Sequence, residues 1–171
     1  MPDKPLGNVF FIGGTGMLAD AARWIAPRAT SLTLAARNPS PLAEEVRAKP
    51  HRLDWAKQAG AMLPPGGTFD IVISWLHDEA IWLARPAEDL LKPGGRSIRI
   101  HGANSLEPAK RRLRDPDPRP DIARQTVILG WVESGAGKRW LTHSEISQGV
   151  ISAIRQPNKE LLVVGNTRLA D

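Results

Sequence analysis

The strongest constraint on this chain is a run of apolar, β-prone residues, NVFFI at 8–12, that passes directly into Gly13-Gly14-Thr15-Gly16-Met17-Leu18-Ala19. Behind the glycines, residues 16–26 carry apolar side chains at helical spacing and stop at Pro27. A strand that turns tightly into a helix brings backbone close to whatever lies above the turn. The helix N-terminus also presents amides that no carbonyl of the helix uses. That arrangement suits a pyrophosphate, and the spacing is that of a dinucleotide fingerprint with Ala19 at the third glycine position. Glycines also make ordinary turns, and a purely structural turn is the competing reading.

The rest of the chain continues the alternation. Further strands are expected at residues 31–36, 52–54, 69–75, 96–100, 126–132 and 161–164. Helices are expected at 41–49, 55–62 and 80–91, the last ending before the stop signal Pro93-Gly94-Gly95. FDIVISW at 69–75 is almost continuously apolar, as a strand covered on both faces should be. Thr142-x-x-Glu145 has the form of a capping box, ahead of Ile146, Val150, Ile151 and Ile154 on one helical face. Strands alternating with helices predict an α/β fold. It would be a doubly wound, mostly parallel sheet of the Rossmann type in three α/β/α layers, as one domain over residues 1–171. Residues 108–120 (PAKRRLRDPDPRP) fit this pattern poorly and read as a solvated surface excursion. Lys110, Arg111, Arg112 and Arg114 within it could contact nucleic acid. No helix-turn-helix or RNA-binding signature accompanies them, so nucleic acid is not an expected partner.

Composition narrows the chemistry. The 171 residues, 42% hydrophobic and 24% charged, suit a globular domain with one core. No apolar run is long enough to span a bilayer, and residues 1–10 lack the apolar core of a secretory signal. A cytoplasmic protein with no membrane partner is therefore expected. The absence of cysteine excludes disulfides, thiol catalysis and cysteine-based metal sites. No histidine spacing suggests a metal ligand set, and none is expected. A net charge of +5 and a pI near 10.1 suit a phosphate-bearing partner.

The end of the second strand bears on which nucleotide the loop takes. An acidic residue there would accept from the ribose 2′-hydroxyl of NAD, but the chain reads Leu34-Ala35-Ala36-Arg37-Asn38. Arg37 is placed to pair with a 2′-phosphate, so NADP(H) is the expected cofactor; an exposed loop arginine is the alternative. Asp54, in Leu53-Asp54-Trp55, can accept from an adenine amino group or cap the following helix, and both readings stand. The cofactor set read from these motifs is Gly13, Gly14, Thr15, Gly16, Met17, Leu18, Arg37, Asn38 and Asp54.

IGGTGMLA, the second strand ending in ARN, LDW and FDIVISW together resemble the short-chain dehydrogenase/reductase superfamily over nearly the whole chain. The resemblance is to the atypical branch that opens with Gly-Gly-x-Gly, which includes NmrA-like regulators and flavin- or quinone-reductase types. RWLTHSEIS at 139–147 is similar to short bacterial proteins labelled as short-chain dehydrogenases. The resemblance implies an oxidoreductase and adds Ser74 and Trp75, at the end of FDIVISW, to the cofactor set, with Ser74 along the nicotinamide ribose. Classical members protonate a carbonyl with a tyrosine, supported by a lysine four residues on. This chain contains no tyrosine, so that pair does not carry over.

A histidine can supply the missing proton, because imidazole titrates near neutrality. His77, His101 and His143 each fall near the carboxyl edge of the expected sheet and are the candidates, with Ser74 beside them; local hydrogen bonding in a loop is the alternative for each histidine. Ser74 lacks the Gly-x-Ser-x-Gly elbow of a nucleophile. Trp75, Trp131 and Trp140 are candidates to wall a pocket for a small-molecule substrate, whereas Trp24, Trp55 and Trp82 read as packing residues. The expected function is NADP(H)-dependent hydride transfer to a small organic acceptor. Without a tyrosine acid, an imine, quinone or flavin is favoured over a simple ketone. The alternative is a non-catalytic NADP(H)-binding sensor of the NmrA-like kind. A homo-oligomer is compatible with either.

Overall fold

A computed structural model describes residues 4–57, 62–103 and 119–167. Its strands are β1 (Asn8–Ile12), β2 (Ser31–Ala36), β3 (Lys49–Arg52), β4 (Phe69–Trp75), β5 (Leu91–Gly102), β6 (Ala123–Leu129), β7 (Trp131–Ser134), β8 (Gly137–Trp140) and β9 (Leu161–Val164). Its α-helices are α1 (Ala19–Ile25), α2 (Ser40–Val46), α3 (Ala84–Asp89) and α4 (His143–Arg155), and short 3-10 turns precede α3 and follow α1. Seven strands form one parallel sheet in the order β3-β2-β1-β4-β5-β6-β9, and β7 pairs antiparallel with β8 as a separate hairpin. The order reverses between β1 and β4, which makes the carboxyl edge at that junction the place where such sheets bind ligands.

Helices cover both faces, and the side chains of β1 divide between them. Val9 and Phe11 join α1 and α4 through Ile25, Val150 and Ile151, while Phe10 and Ile12 join Leu83, Ala87 and Leu90 on the α3 face. A strand buried on both sides has no polar positions to offer, which is why NVFFI and FDIVISW read as apolar runs.

The last helix is fixed at both ends. The Thr142 hydroxyl accepts from the Glu145 amide at 3.2 Å, and the Glu145 carboxylate accepts from the Thr142 amide at 2.8 Å, completing the capping box. At the other end the Gln125 side-chain amide donates to the carbonyls of Ala153, Gln156 and Lys159, and Arg96 donates to that of Ile154. These bonds from the sheet satisfy carbonyls that the helix terminus leaves over.

Several boundaries differ from the sequence expectation. The first helix begins at Ala19 rather than residue 16, because residues 13–18 are taken up by the turn. The third strand is Lys49–Arg52, so Leu53 and Asp54 lie just beyond it and Lys49 belongs to the strand rather than to the preceding helix. Residues 55–57 form a turn, not a helix, and 58–61 lie outside the described residues. Pro93-Gly94-Gly95 does not end an element: Gly94 takes φ +79° inside β5, where the register against β4 shifts between Phe69 and Ile71. The strand expected at 126–132 is two elements, since the chain leaves the sheet at Gly130 and enters the hairpin. Residues 108–118 of the basic, proline-rich stretch lie outside the described residues.

Candidate functional site

The three glycines of the loop are not equivalent. Gly13 adopts φ +80° and donates its amide to the Ala35 carbonyl at 3.0 Å, tying the loop to β2. A side chain on Gly13 would stand 3.0 Å from the Trp75 carbonyl oxygen, and one on Gly14 would come within 2.8 Å of the Phe11 ring. Both positions are therefore demanded by packing. Gly16 is different, because a Cβ there would meet nothing within 4 Å. Its exposed face opens onto the start of α1, where no side chain caps the first turn. An open glycine beside a helix start without a side-chain cap leaves space in which a diphosphate could sit, so the residues present fit a dinucleotide. Leu18 is fully buried, so it contributes to this cradle only through its backbone; Thr15 and Met17 are half-buried. The Ser147 hydroxyl donates to the Met17 carbonyl at 3.3 Å and ties α4 to the loop.

Beside this loop, at the ends of β2 and β3, lies a cleft of about 450 Å³ lined by Arg37, Asn38, Pro39, Ser40, Pro50 and Arg52. Two guanidinium groups, an amide and a hydroxyl converge there, with no carboxylate among the lining residues. Parallel pairing sets Ala36 opposite Arg52, which brings Arg52 alongside the residue before Arg37. The Arg37 guanidinium lies 5.8 Å from the centre of the Trp55 ring. Arg52 escapes a reading of sequence alone because it is fifteen residues from Arg37 and gains its place only through strand register. Asp54 is half-buried and accepts from the Ala56 amide at 3.3 Å, so one carboxylate oxygen closes a local turn.

A second, smaller cavity of about 290 Å³ sits on the α1/α4 side of the carboxyl edge. Its lining brings together Met17, Trp75, Trp140 and His143 with the backbone of Gly102 and Gly130 and apolar residues of β6 and α4. His143 is the first residue of α4 and is exposed to solvent. Arg139 forms a bidentate ion pair with Glu145, both contacts at 2.9 Å, and so locks the hairpin to the start of α4. That pair, together with the Thr142 amide, lowers the Glu145 pKa to about 2.

The other candidates are placed elsewhere. His77 lies outside the cavity lining and accepts from the Trp75 indole N–H at 3.2 Å, their rings edge to face. Ser74 and His101 are buried. Strand alternation sets them opposite Trp75 and Ile100, on the α3 face with Ile12 and Arg99. Trp131 is paired across the hairpin with Trp140 but does not line the cavity; the Lys138 ammonium sits 4.7 Å above its ring. Trp24, Trp55 and Trp82 pack against the core clusters. A larger open cleft of about 610 Å³ at Pro5, Pro27, Arg28, Ala29 and Thr30 lies at the amino edge of the sheet, away from the glycine loop. Among the described residues there is no cluster of His, Asp and Glu able to hold a metal, and no helix long and apolar enough to cross a membrane.

No protein-family model matches the sequence, and no curated protein is detectably similar to it. Solved structures match it in shape. A short-chain dehydrogenase/reductase of the glucose/ribitol dehydrogenase type from Brucella melitensis aligns with TM-score 0.65 at 13% identity, covering 98% of this chain and 99% of that one. BdcA, a protein of E. coli, aligns in its complex with NADPH with TM-score 0.63 at 15% identity, covering 98% and 96%. A putative D-mannonate oxidoreductase from Haemophilus influenza with bound NAD gives 0.60 at 13%, covering 94% of each. The chain therefore has the α/β Rossmann-type fold found in short-chain dehydrogenase/reductase structures.

Proposed function

We propose that this protein is an NADP(H)-dependent oxidoreductase of the atypical short-chain dehydrogenase/reductase type, passing hydride to a small organic acceptor without a tyrosine acid. The observation that carries the reading is the cleft of Arg37 and Arg52 beside an open glycine loop, with no carboxylate in its lining. A 2′-phosphate brings two negative charges to a place where two guanidiniums, Asn38 and Ser40 can bond it. A bare 2′-hydroxyl finds no carboxylate in the lining to accept from it. Gly13, Gly14, Thr15, Gly16, Met17 and Leu18 supply the diphosphate cradle, Asp54 has a second oxygen for an adenine amine, and Trp75 stands at the nicotinamide end.

His143 lines the smaller cavity at the carboxyl edge, and it takes the role of proton donor. The bound nicotinamide would supply the hydride, while the chain's residues orient the two partners and deliver the proton. The tyrosine-free composition also suits a non-catalytic NADP(H) sensor. Partner binding that differs between NADP and NADPH, with no acceptor reduced, would favour that role.

Separate titrations with NADPH and NADH, followed by quenching of tryptophan fluorescence, test the cofactor reading. NADPH should bind at least about tenfold more tightly, and Arg37→Ala combined with Arg52→Ala should remove most of that preference while sparing NADH binding. Equal affinity for both nucleotides in the parent protein would refute NADP(H) selectivity.

A further inference from the structure

Ser147 is fully buried on α4, a helix whose other buried residues include Ile146, Val150 and Ile151. A hydroxyl at such a position costs helix propensity and desolvation that alanine would avoid, so packing alone does not call for it. Serines inside helices commonly turn the hydroxyl back to a carbonyl one turn earlier. This one donates across the molecule instead, to the Met17 carbonyl of the glycine loop at 3.3 Å. The helix that carries it is a firm support. Its start is closed by the capping box and by the Arg139–Glu145 pair, and Gln125 and Arg96 take up carbonyls at its end.

Fixing the Met17 carbonyl also fixes the amide that follows it. The peptide unit joining Met17 to Leu18 is trans and planar, so its N–H points opposite to its C=O. With the carbonyl drawn toward α4, the Leu18 amide is turned away from α4. Leu18 stands at the start of α1, where amides have no carbonyl of the helix to bond and no side chain caps them. Two residues earlier, Gly16 leaves the neighbouring space open. Resting on the function proposed above, we propose that Ser147 is a positioning residue for the cofactor: by holding the Met17 carbonyl, it aims the Leu18 amide at the diphosphate. Ser147 touches no part of the nucleotide itself. It acts as a buried support that sets a binding amide before the ligand arrives, which spares the ligand the cost of ordering the loop.

Binding to the full chain tests this without any turnover. Ser147→Ala should weaken NADPH and NADH by the same factor, about tenfold, because both carry the diphosphate, and should leave the ratio of their affinities as in the parent. By contrast 2′-AMP, which brings adenosine and the 2′-phosphate but no diphosphate, should bind parent and variant alike in saturation-transfer NMR. The melting temperature should fall by only about 2–4 °C, the loss of one hydrogen bond in a chain of this size. Unchanged NADPH and NADH affinity in Ser147→Ala, with the parent binding either nucleotide, would overturn the role of Ser147 and leave the cofactor reading standing. A loss of 2′-AMP binding as large as that of NADPH would show a general disturbance of the fold and would overturn it too. Failure of the parent to bind either nucleotide would remove the cofactor reading and the positioning role together.

Discussion

Glu88 shows how much one side chain can carry. It is 1% exposed and receives both Arg124 contacts, at 2.8 and 2.6 Å, with the equally buried Arg99 at 3.7 Å. Removing the carboxylate takes away a buried charge that both guanidiniums approach, so Glu88→Ala should destabilise the fold by about 3–5 kcal/mol in denaturant unfolding. Glu145 makes a different kind of contribution. Its pKa is lowered to about 2 by Arg139 and the Thr142 amide, from an ordinary value of 4.5. A depressed carboxyl stabilises fully above its unfolded pKa and loses that contribution as pH falls from the unfolded value through the folded one. The melting-temperature gap between the parent and Glu145→Gln should therefore be widest near neutrality and close between pH 4.5 and 2. A gap constant over that window would show that the ion pair does not stabilise the fold. Glu88 meets Arg124 from 36 residues away, which no local pattern reveals, whereas Glu145 has near neighbours as partners and its capping half was legible in Thr142-x-x-Glu145.

At the scale of elements, α4 packs closely on β9 at Gly149. A Cβ on Gly149 would collide with the Val164 side chain, whereas alanine in an unpacked helix interior would gain up to about 1 kcal/mol over glycine. Overpacking outweighs propensity here, and Gly149→Ala should cost roughly 1–3 kcal/mol by thermal or chemical unfolding. A stabilised Gly149→Ala variant would mean that β9 stands off from α4. Periodicity located the apolar strands β1, β2, β4 and β9 and the capped helix α4, because burial and capping leave local signatures. It missed the hairpin, since TVILGWV looks like one strand until Gly130 turns the backbone against Asn166, whose carbonyl would clash with a Cβ there. It also read Pro93-Gly94-Gly95 as a stop where β5 accommodates an irregularity between paired strands.

Over the whole molecule, strand order does what no local motif can. Placing β1 between β2 and β4 sets the glycine loop next to the ends of β2 and β3 on one side and of β4 on the other. The loop itself was legible because strand, glycines and helix are contiguous in the chain. The arginine cleft was only half legible, since Arg37 follows a strand but Arg52 arrives by register. The choice among histidines was not legible, because which face of the sheet a residue occupies depends on strand alternation and on which helices cover it. NADP(H) binding requires the glycine loop to be a diphosphate cradle, and Gly16 separates that from a structural turn. Calorimetric titration of Gly16→Ala with NADPH, alongside its melting temperature, is the most direct measurement. The open space around Gly16 predicts an unchanged melting temperature and NADPH binding weakened about tenfold or more, some 1.4 kcal/mol. Unaltered binding in a folded Gly16→Ala variant would contradict the account.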